Sequence, residues 1–377
     1  MPVKLKWPFL GIAIPCFLIS FIGYNAHYFI LTNFLSQKEQ IWFQVSLTMI
    51  WLSYYLAIYA PPGHPPRNFQ PSPKTWKNYC KKCQNYKPER AHHCKTCNSC
   101  VLAMDHHCPW TMNCVGYHNF PHFMRFLFWV IVTTGYLLVR LILRAYFILS
   151  NYTTPLYLWK KSEVIFLAVL IPMDGFILLT ISILFIRCLS NQIFCGRTQI
   201  ETWEYERLEG LFYRKRLISL LIQNFWDLHP ECRTHEVENE ATRLLTQRGL
   251  KFDNIVNFPY DIDPLRNATQ FLGVPYSWLW PLGRPAGTGL FFPKNDISDF
   301  EESELQDMLL SLPWPPDGGR DKVACINGSS RIETVVKNGE QLIRKRAIDS
   351  GDTISRKKWQ NTWGENLEDF GVDIDAE

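Results

Sequence analysis

The sequence predicts a polytopic α-helical membrane protein with four transmembrane helices, a cytosolic two-zinc cysteine-rich domain between spans 2 and 3, and a cytosolic C-terminal region. Three observations carry this prediction. The 377 residues include four long apolar runs, and a membrane-spanning helix needs about 20 such residues. Seven of the twelve cysteines and four of the ten histidines crowd into residues 80–114, between the second and third runs. Lysine and arginine are concentrated in the same interval.

Residues 1–60 are predicted to form a transmembrane hairpin with spans at about 7–31 and 41–60. The polar turn between the spans, residues 36–40, is too short for anything but a tight connection. A signal peptide is the competing interpretation of the first run. It is weaker, because the run is longer than a signal-peptide core and a second apolar run follows closely. Pro61-Pro62-Gly63 ends the second span.

A second transmembrane hairpin is predicted for residues 123–189, with spans at about 123–149 and 164–189. Arg125 lies at the mouth of the third span, where its long side chain is expected to reach the headgroups. Arg140 and Arg144 are expected to mark the far end of that span or to face other helices. Asp174 interrupts the fourth span. It either faces the protein interior, as costly intramembrane acids usually do, or lies near the luminal interface.

The region between the hairpins, residues 61–122, is predicted to be the cytosolic zinc-binding domain. Eight Lys or Arg lie between residues 67 and 95, and positively charged loops stay on the cytoplasmic side. Lys4 and Lys6 place the N-terminus on the same side, so both termini are expected to be cytosolic. The formal net charge of +4 is too small to indicate a nucleic-acid partner.

The cysteine and histidine spacings predict two tetrahedral zinc sites, which together need eight ligands. The first site is assigned to Cys80, Cys83, His93 and Cys100. The second site is assigned to Cys94, Cys97, His107 and Cys114. Clustering of this kind favours structural metal in a reducing compartment over a disulfide scaffold.

One cysteine of the cluster, Cys108, is left over by this assignment. It follows His106 and Asp105, which have the side chains needed for a base and for a group that orients the base. Cys108 is therefore a candidate nucleophile. The alternative is that Cys108 is only a buried thiol or an exchangeable zinc ligand, because closed structural sites are the common use of such clusters.

The motif around Cys108 resembles the DHHC family of protein S-acyltransferases. Residues 105–116 have the sequence Asp-His-His-Cys-Pro-Trp-Thr-Met-Asn-Cys-Val-Gly, and the similarity extends back through Lys-Pro-Glu-Arg at 87–90 and His-His-Cys at 92–94. Other segments resemble a fungal member of the family that resides in the endoplasmic reticulum. These segments are residues 1–4, 257–261, 311–319 and 369–373.

The resemblance implies a protein S-palmitoyltransferase that moves palmitate from palmitoyl-CoA to Cys108 and then to a cysteine of a membrane-associated substrate protein. It implies that His106 is the base and that Asp105 holds the imidazole. It further implies that Lys87, Arg90 and His92 contact the CoA phosphates, although they could equally be ordinary surface charges. The metals would be structural zinc ions, nucleic acid would not be a partner, and the location would be the endoplasmic reticulum membrane.

Two positions depart from the family pattern. The Thr-Thr-x-Glu motif after the fourth span is Thr198-Gln199-Ile200-Glu201 here, so Gln199 stands where a threonine is expected near Asp105. The Asp-Pro-Gly after the second span is Pro61-Pro62-Gly63. We expect Gln199 to preserve its contact, because glutamine donates and accepts hydrogen bonds.

Residues 190–377 are predicted to form a cytosolic C-terminal region that is partly mobile. Apolar residues at helical spacing predict a helix over about 201–226, which either lies on the membrane surface or packs on the zinc domain. Residues 317–360 are polar and predicted to be mobile. The acidic C-terminal end is predicted to be solvated.

Two other function classes compete with an enzyme. A membrane-anchored zinc module that only binds partners would have the same spans and the same ligands. A zinc-dependent nucleic-acid binder is weaker, because four spans would hold the basic block at a membrane. Acylation of Cys108 separates the enzyme from the binding module.

Overall fold

The computed structural model describes residues 7–72, 75–151, 153–155, 159–247, 249–300, 303–319 and 356–376, and the backbone of 331–337 and 340–346. Lys4 and Lys6, and half of the segment 317–360 that was predicted to be mobile, lie outside the described residues. Two strands, β7 (Arg331–Lys337) and β8 (Glu340–Arg346), pair antiparallel within that segment.

Four helices of the described chain are long and apolar enough to cross a membrane. They are α1 (Leu10–Phe29), α2 (Gln37–Tyr59), α3 (Phe120–Ser150) and α4 (Lys161–Leu189). The cysteine-rich region lies between α2 and α3, so the predicted arrangement of four spans and an intervening zinc-binding region is confirmed.

The connection between the first two helices lies earlier in the chain than the predicted turn at residues 36–40, because residues 37–40 belong to α2. The Ser36 side chain accepts a hydrogen bond from the Glu39 backbone, and the Glu39 carboxylate accepts one from the Ser36 N–H at 3.0 Å. This reciprocal capping satisfies two N–H groups that would otherwise lack partners at the start of a helix. Helix α2 therefore begins at Gln37.

Charged residues join the helix ends on the side away from the cysteine-rich region. Arg144 bonds Glu163 of α4 at 2.6 Å, and Arg140 pairs with Glu39 of α2 at 2.7 Å. Of the two alternatives for Asp174, the structure supports a position facing protein, because this residue lies within α4 and is fully buried.

Three short antiparallel hairpins form the cysteine-rich region. They pair β1 (Tyr79–Cys80) with β2 (Asn85–Tyr86), β3 (His92–Cys94) with β4 (Ser99–Val101), and β5 (His106–Cys108) with β6 (Asn113–Val115). The register sets His93 opposite Cys100 and His107 opposite Cys114. Each of these two histidines therefore lies directly across its hairpin from a cysteine.

The predicted helix over 201–226 is two helices, α5 (Gln199–Tyr213) and α6 (Leu217–Leu228). The helical conformation is interrupted between them, where Lys215 has a left-handed φ of 58°. The apolar face of α6, including Leu217, Leu221 and Phe225, is fully buried in a core shared with α7 (His235–Thr246) and α9 (Leu305–Leu310). The membrane-surface interpretation is wrong for this segment, because protein already covers its apolar face.

The acidic C-terminal end is packed against the hairpins, so the prediction that it is solvated is wrong for Asp373, whereas Glu368 and Asp375 are exposed. The Asp373 N–H donates to His93 O at 2.8 Å, and Gly371 O accepts from Lys95 N–H at 2.9 Å. Gly371 has φ 86°, and a Cβ there would meet the His107 Cβ at 2.6 Å. The buried Asp373 carboxylate pairs with Lys82. This segment therefore spans both predicted zinc groups.

Candidate active site and two metal centres

The three hairpins repeat one turn at an interval of fourteen residues, with Cys80, Cys94 and Cys108 at equivalent positions. In the first two hairpins the turn is Cys-x-x-Cys, and the N–H of the second cysteine points at the sulfur of the first at 3.3 Å. The residues that follow these turns, Gln84 and Asn98, have φ 50°, and Met112 of the third hairpin has φ 51°. The third hairpin therefore preserves the backbone of a zinc-binding turn.

The first group of potential ligands consists of Cys80, Cys83, His93 and Cys100. The sulfurs lie 3.4, 3.3 and 3.7 Å from His93 Nδ1, in that order. Tetrahedral zinc with Zn–S bonds of about 2.3 Å and Zn–N bonds of about 2.0 Å places neighbouring donors roughly 3.5–3.8 Å apart. The donor set and its spacing therefore fit zinc, with the histidine bound through Nδ1.

The second group consists of Cys94, Cys97, His107 and Cys114. The sulfurs lie 3.7, 3.4 and 3.6 Å from His107 Nδ1, in that order, and Cys97 Sγ lies 3.5 Å from Cys114 Sγ. The prediction of two Cys/His groups able to hold zinc is confirmed. A third group of three potential ligands, which the sequence analysis did not identify, lies at His229, Glu231 and Cys232.

Cys108 belongs to neither zinc-binding group. Thr111 stands where the first two hairpins have their second cysteine, so this turn lacks one of the two sulfurs. The Cys108 side chain is buried and is hydrogen-bonded to His106, to Thr111 and to the Trp110 backbone. Burial alone would raise the pKa of the Cys108 thiol, but these hydrogen bonds and the charge of His106 lower it. The thiolate is the nucleophilic form of cysteine.

His106 is placed between Cys108 and Asp105. Its Nδ1 lies 2.8 Å from Asp105 Oδ2, which leaves Nε2 for Cys108. Burial opposes protonation of the imidazole, but the hydrogen bonds to Asp105 and Cys108 and their charges raise the pKa of His106. A cysteine, a base and a carboxylate that orients the base are therefore in line, which is the arrangement used for nucleophilic catalysis.

Asp105 is held by two donors on its other oxygen. Gln192 donates its side-chain amide to Oδ1 at 2.6 Å, and Gln199 donates its backbone N–H at 2.9 Å. Gln199 thus reaches Asp105 through its main chain, and the side-chain contact that the sequence suggested for this position is made by Gln192. Gln192 lies in a π-helical turn, Ser190–Phe194, which follows α4 directly.

The turn that carries Cys108 rests on the first two membrane helices. Tyr54 of α2 donates its hydroxyl to Trp110 O at 2.7 Å. A Cβ at Gly11 of α1 would lie 2.0 Å from Pro109 O, so only glycine permits this approach. Asn113 donates to Ala60 O at 3.0 Å, just after α2 ends. Cys108 therefore lies at the ends of the spans.

The three residues suggested for CoA line one cleft of about 600 Å³. Lys87 and Arg90 are buried, and His92 is half-buried. Arg90 forks onto Glu201, with Nε–Oε1 at 2.6 Å and Nη2–Oε2 at 2.5 Å. Its guanidinium also lies 4.5 Å from the centre of the Tyr260 ring. Arg90 is thus engaged in a buried ion pair, which the sequence analysis did not foresee.

The fold and this site define a membrane protein with a buried cysteine, a histidine and a carboxylate held beside two Cys/His groups able to bind metal. The DHHC palmitoyltransferase family profile matches residues 74–206. The chain is 59% identical to palmitoyltransferase PFA4 of Saccharomyces cerevisiae, with all of both chains covered. It is 36% identical to palmitoyltransferase PFA4 of Yarrowia lipolytica, over 97% of each chain. The chain belongs to the DHHC palmitoyltransferase family.

Proposed function

We propose that this protein is a protein S-palmitoyltransferase with Cys108 as its acyl carrier. The observation that carries the proposal is that Cys108 lies outside both zinc-binding groups, beside the His106–Asp105 pair, which lowers the pKa of its thiol. In the proposed site, the eight remaining Cys and His ligands hold two structural zinc ions. Zinc would fix the hairpins, and the acyl transfer would be carried out by the chain's own residues.

In the first step, the Cys108 thiolate attacks the thioester carbonyl carbon of palmitoyl-CoA. The bond between that carbon and the CoA sulfur breaks, and His106 gives its proton to the departing CoA thiolate. In the second step, His106 takes the proton from a cysteine of the substrate protein, which attacks the acyl-Cys108 thioester. Cys108 leaves as a thiolate. One thioester is exchanged for another in each step, so neither step requires an additional energy source.

The position of Cys108 at the ends of α1 and α2 supports acyl transfer at the membrane surface. Its neighbours in the core include Phe120, Phe123 and Leu127 of α3, and Cys188 of α4. An acyl chain on Cys108 would enter between these spans, where burial of each CH₂ contributes about 0.8 kcal/mol. Residues 61–122 would then face the cytosol, which supplies palmitoyl-CoA, together with both termini and residues 190–377.

The cleft beside the hairpins is the proposed site of the CoA head. Lys87 and His92 are proposed to contact the phosphates there, and Arg90 is proposed to support that wall through its pair with Glu201. Exposed aromatic rings such as Tyr79 and Phe291 also line the cleft and offer surfaces for the adenine. The proposed substrates are membrane-associated proteins with a cytosolic cysteine, in the endoplasmic reticulum membrane.

The test is to incubate the purified full-length protein with labelled palmitoyl-CoA and measure hydroxylamine-sensitive label on the chain. The wild type is expected to become labelled and Cys108→Ser is not. Cys188→Ser is the matched control, because Cys188 is a buried thiol of the same core and lies outside both zinc-binding groups. It is expected to be labelled like the wild type. Label that persists in Cys108→Ser, or none in any protein, would favour the binding module.

A further inference from the structure

Ten residues of the C-terminal region, 274–283, form a closed loop that the proposed reaction does not use. Its ends meet, because a Cβ at Gly273 would lie 2.2 Å from the Arg284 carbonyl oxygen. Trp278 closes the loop further by donating Nε1–H to Gly273 O at 2.7 Å. Compact surface loops with adjoining ends are frequently functional.

The inside of this loop is filled by Arg125, which comes from α3. Arg125 donates Nε–H to Trp278 O at 2.7 Å and Nη2–H to Gly283 O at 2.8 Å, with longer contacts of 3.3 Å to Ser277 O and Pro281 O. The residue is buried and does not reach out to headgroups as the sequence suggested. Because the carbonyls of the loop point inward to a guanidinium, most of its side chains are turned outward.

The outward side chains are large, apolar and exposed. The side chain of Tyr276 is 89% exposed and that of Trp280 is 64% exposed. Leu279 and Leu282 are each more than half exposed. Residues 274–283 contain no charged side chain. An exposed apolar patch of this kind marks an interaction site.

The position of the loop identifies what covers this surface. Arg125 lies in the second turn of α3, inside the segment Phe120–Ser150 that is long and apolar enough to span a membrane. Its side chain holds the loop beside the end of that span, at the depth where the surface of a membrane would lie. Tryptophan and tyrosine are enriched at this depth of membrane proteins.

We propose that residues 274–283 insert the side chains of Tyr276, Leu279, Trp280 and Leu282 into the leaflet on the side of the zinc hairpins. The partner is the interfacial region of the bilayer, where the apolar rings enter the acyl boundary and their polar groups stay at the headgroups. The loop thereby adds a fifth attachment of the chain to the membrane and fixes the C-terminal region against α3.

The experiment reconstitutes the full chain in phosphatidylcholine vesicles that contain a phospholipid with a diazirine on its acyl chain. After illumination, lipid adducts are mapped by mass spectrometry of peptides. We expect adducts on the peptide with residues 274–283 at a yield comparable to peptides at the ends of the spans. The matched control is the peptide with Leu245 of α7, which is an exposed leucine on a helix away from the bundle and should stay at background.

A variant makes the same test sharper. Trp280→Glu should lose the loop adducts while the span adducts are unchanged, whereas Leu245→Glu should change neither. Adducts on the spans with none on 274–283 in the wild type would overturn the proposal and indicate a protein ligand on this face. Equal yields on the loop and on the Leu245 peptide would overturn it too, because labelling would then report exposure alone. The measurement does not depend on acyl transfer, so its failure is distinct from failure of the proposed activity.

Discussion

Gln192 offers the sharpest test of how the Asp105 carboxylate is held. Its side-chain amide donates to Asp105 Oδ1 at 2.6 Å, and both residues are buried. Gln192→Leu has a similar size and leaves Oδ1 with the Gln199 N–H as its remaining donor in the described structure. A hydrogen bond to a charged group contributes about 1.5–3 kcal/mol. If the whole contribution is lost from the Cys108 thiolate and His106 imidazolium pair that attacks palmitoyl-CoA, the rate of Cys108 acylation falls about 10- to 160-fold.

The assay is the single-turnover rate of acylation at saturating palmitoyl-CoA, with zinc content measured on the same preparations. Gln199→Leu is the matched control, because Gln199 contacts Asp105 through its backbone N–H, which leucine retains. It is expected to acylate at close to the wild-type rate. A slow Gln199→Leu with a normal Gln192→Leu would show that the side chain of Gln199 holds the carboxylate, and would refute this account of the site.

The other predictions concern the ion pair, the third hairpin and the metal. Arg90→Met should lower the free energy of unfolding in detergent by about 3–5 kcal/mol, because the buried Glu201 carboxylate loses its guanidinium partner. The double variant Arg90→Met/Glu201→Leu should be less destabilised than Arg90→Met alone. Losses of unfolding free energy that simply add in the double variant would contradict a direct pair. Thr111→Val should slow acylation about three- to tenfold at unchanged KM, since one hydrogen bond contributes about 0.5–1.5 kcal/mol. Thr111→Ser should restore the wild-type acylation rate. Equal acylation rates in the wild type and Thr111→Val would exclude a role for the hydroxyl. Metal analysis should find about two zinc ions per wild-type chain, fewer in Cys83→Ala and an unchanged number in Cys108→Ser; equal losses would disprove the ligand assignment.

The zinc-binding groups could be predicted because their ligands are close in sequence. Cys-x-x-Cys pairs and the histidines that follow them place potential ligands on adjoining turns, so counting was enough to set Cys108 apart. The fourteen-residue repeat was also present in the sequence, and it would have shown that Thr111 stands where the other two turns have their second cysteine. The spans followed in the same way from unbroken apolar runs.

The contacts that hold the site could not be predicted, because they join distant parts of the chain. Gln192 lies 87 residues from Asp105 and comes from an irregular turn after α4. Lys82 and Asp373 are 291 residues apart, and nothing local in an acidic C-terminal end indicates that it is buried. Arg125 was expected to reach the headgroups because it lies at the mouth of a span. Nothing in the sequence there reveals that a distant loop supplies carbonyl oxygens for its guanidinium.

The central claim is that eight ligands are occupied by two zinc ions while one cysteine carries the acyl group. Mass spectrometry under non-denaturing conditions tests it directly, because it weighs the chain, its metals and its acyl group together. After brief exposure to palmitoyl-CoA, the account predicts a species with two zinc ions and one palmitoyl group, which peptide mapping places on Cys108. A palmitoyl group on any of the eight ligands, or loss of a zinc ion when the chain is acylated, would contradict it.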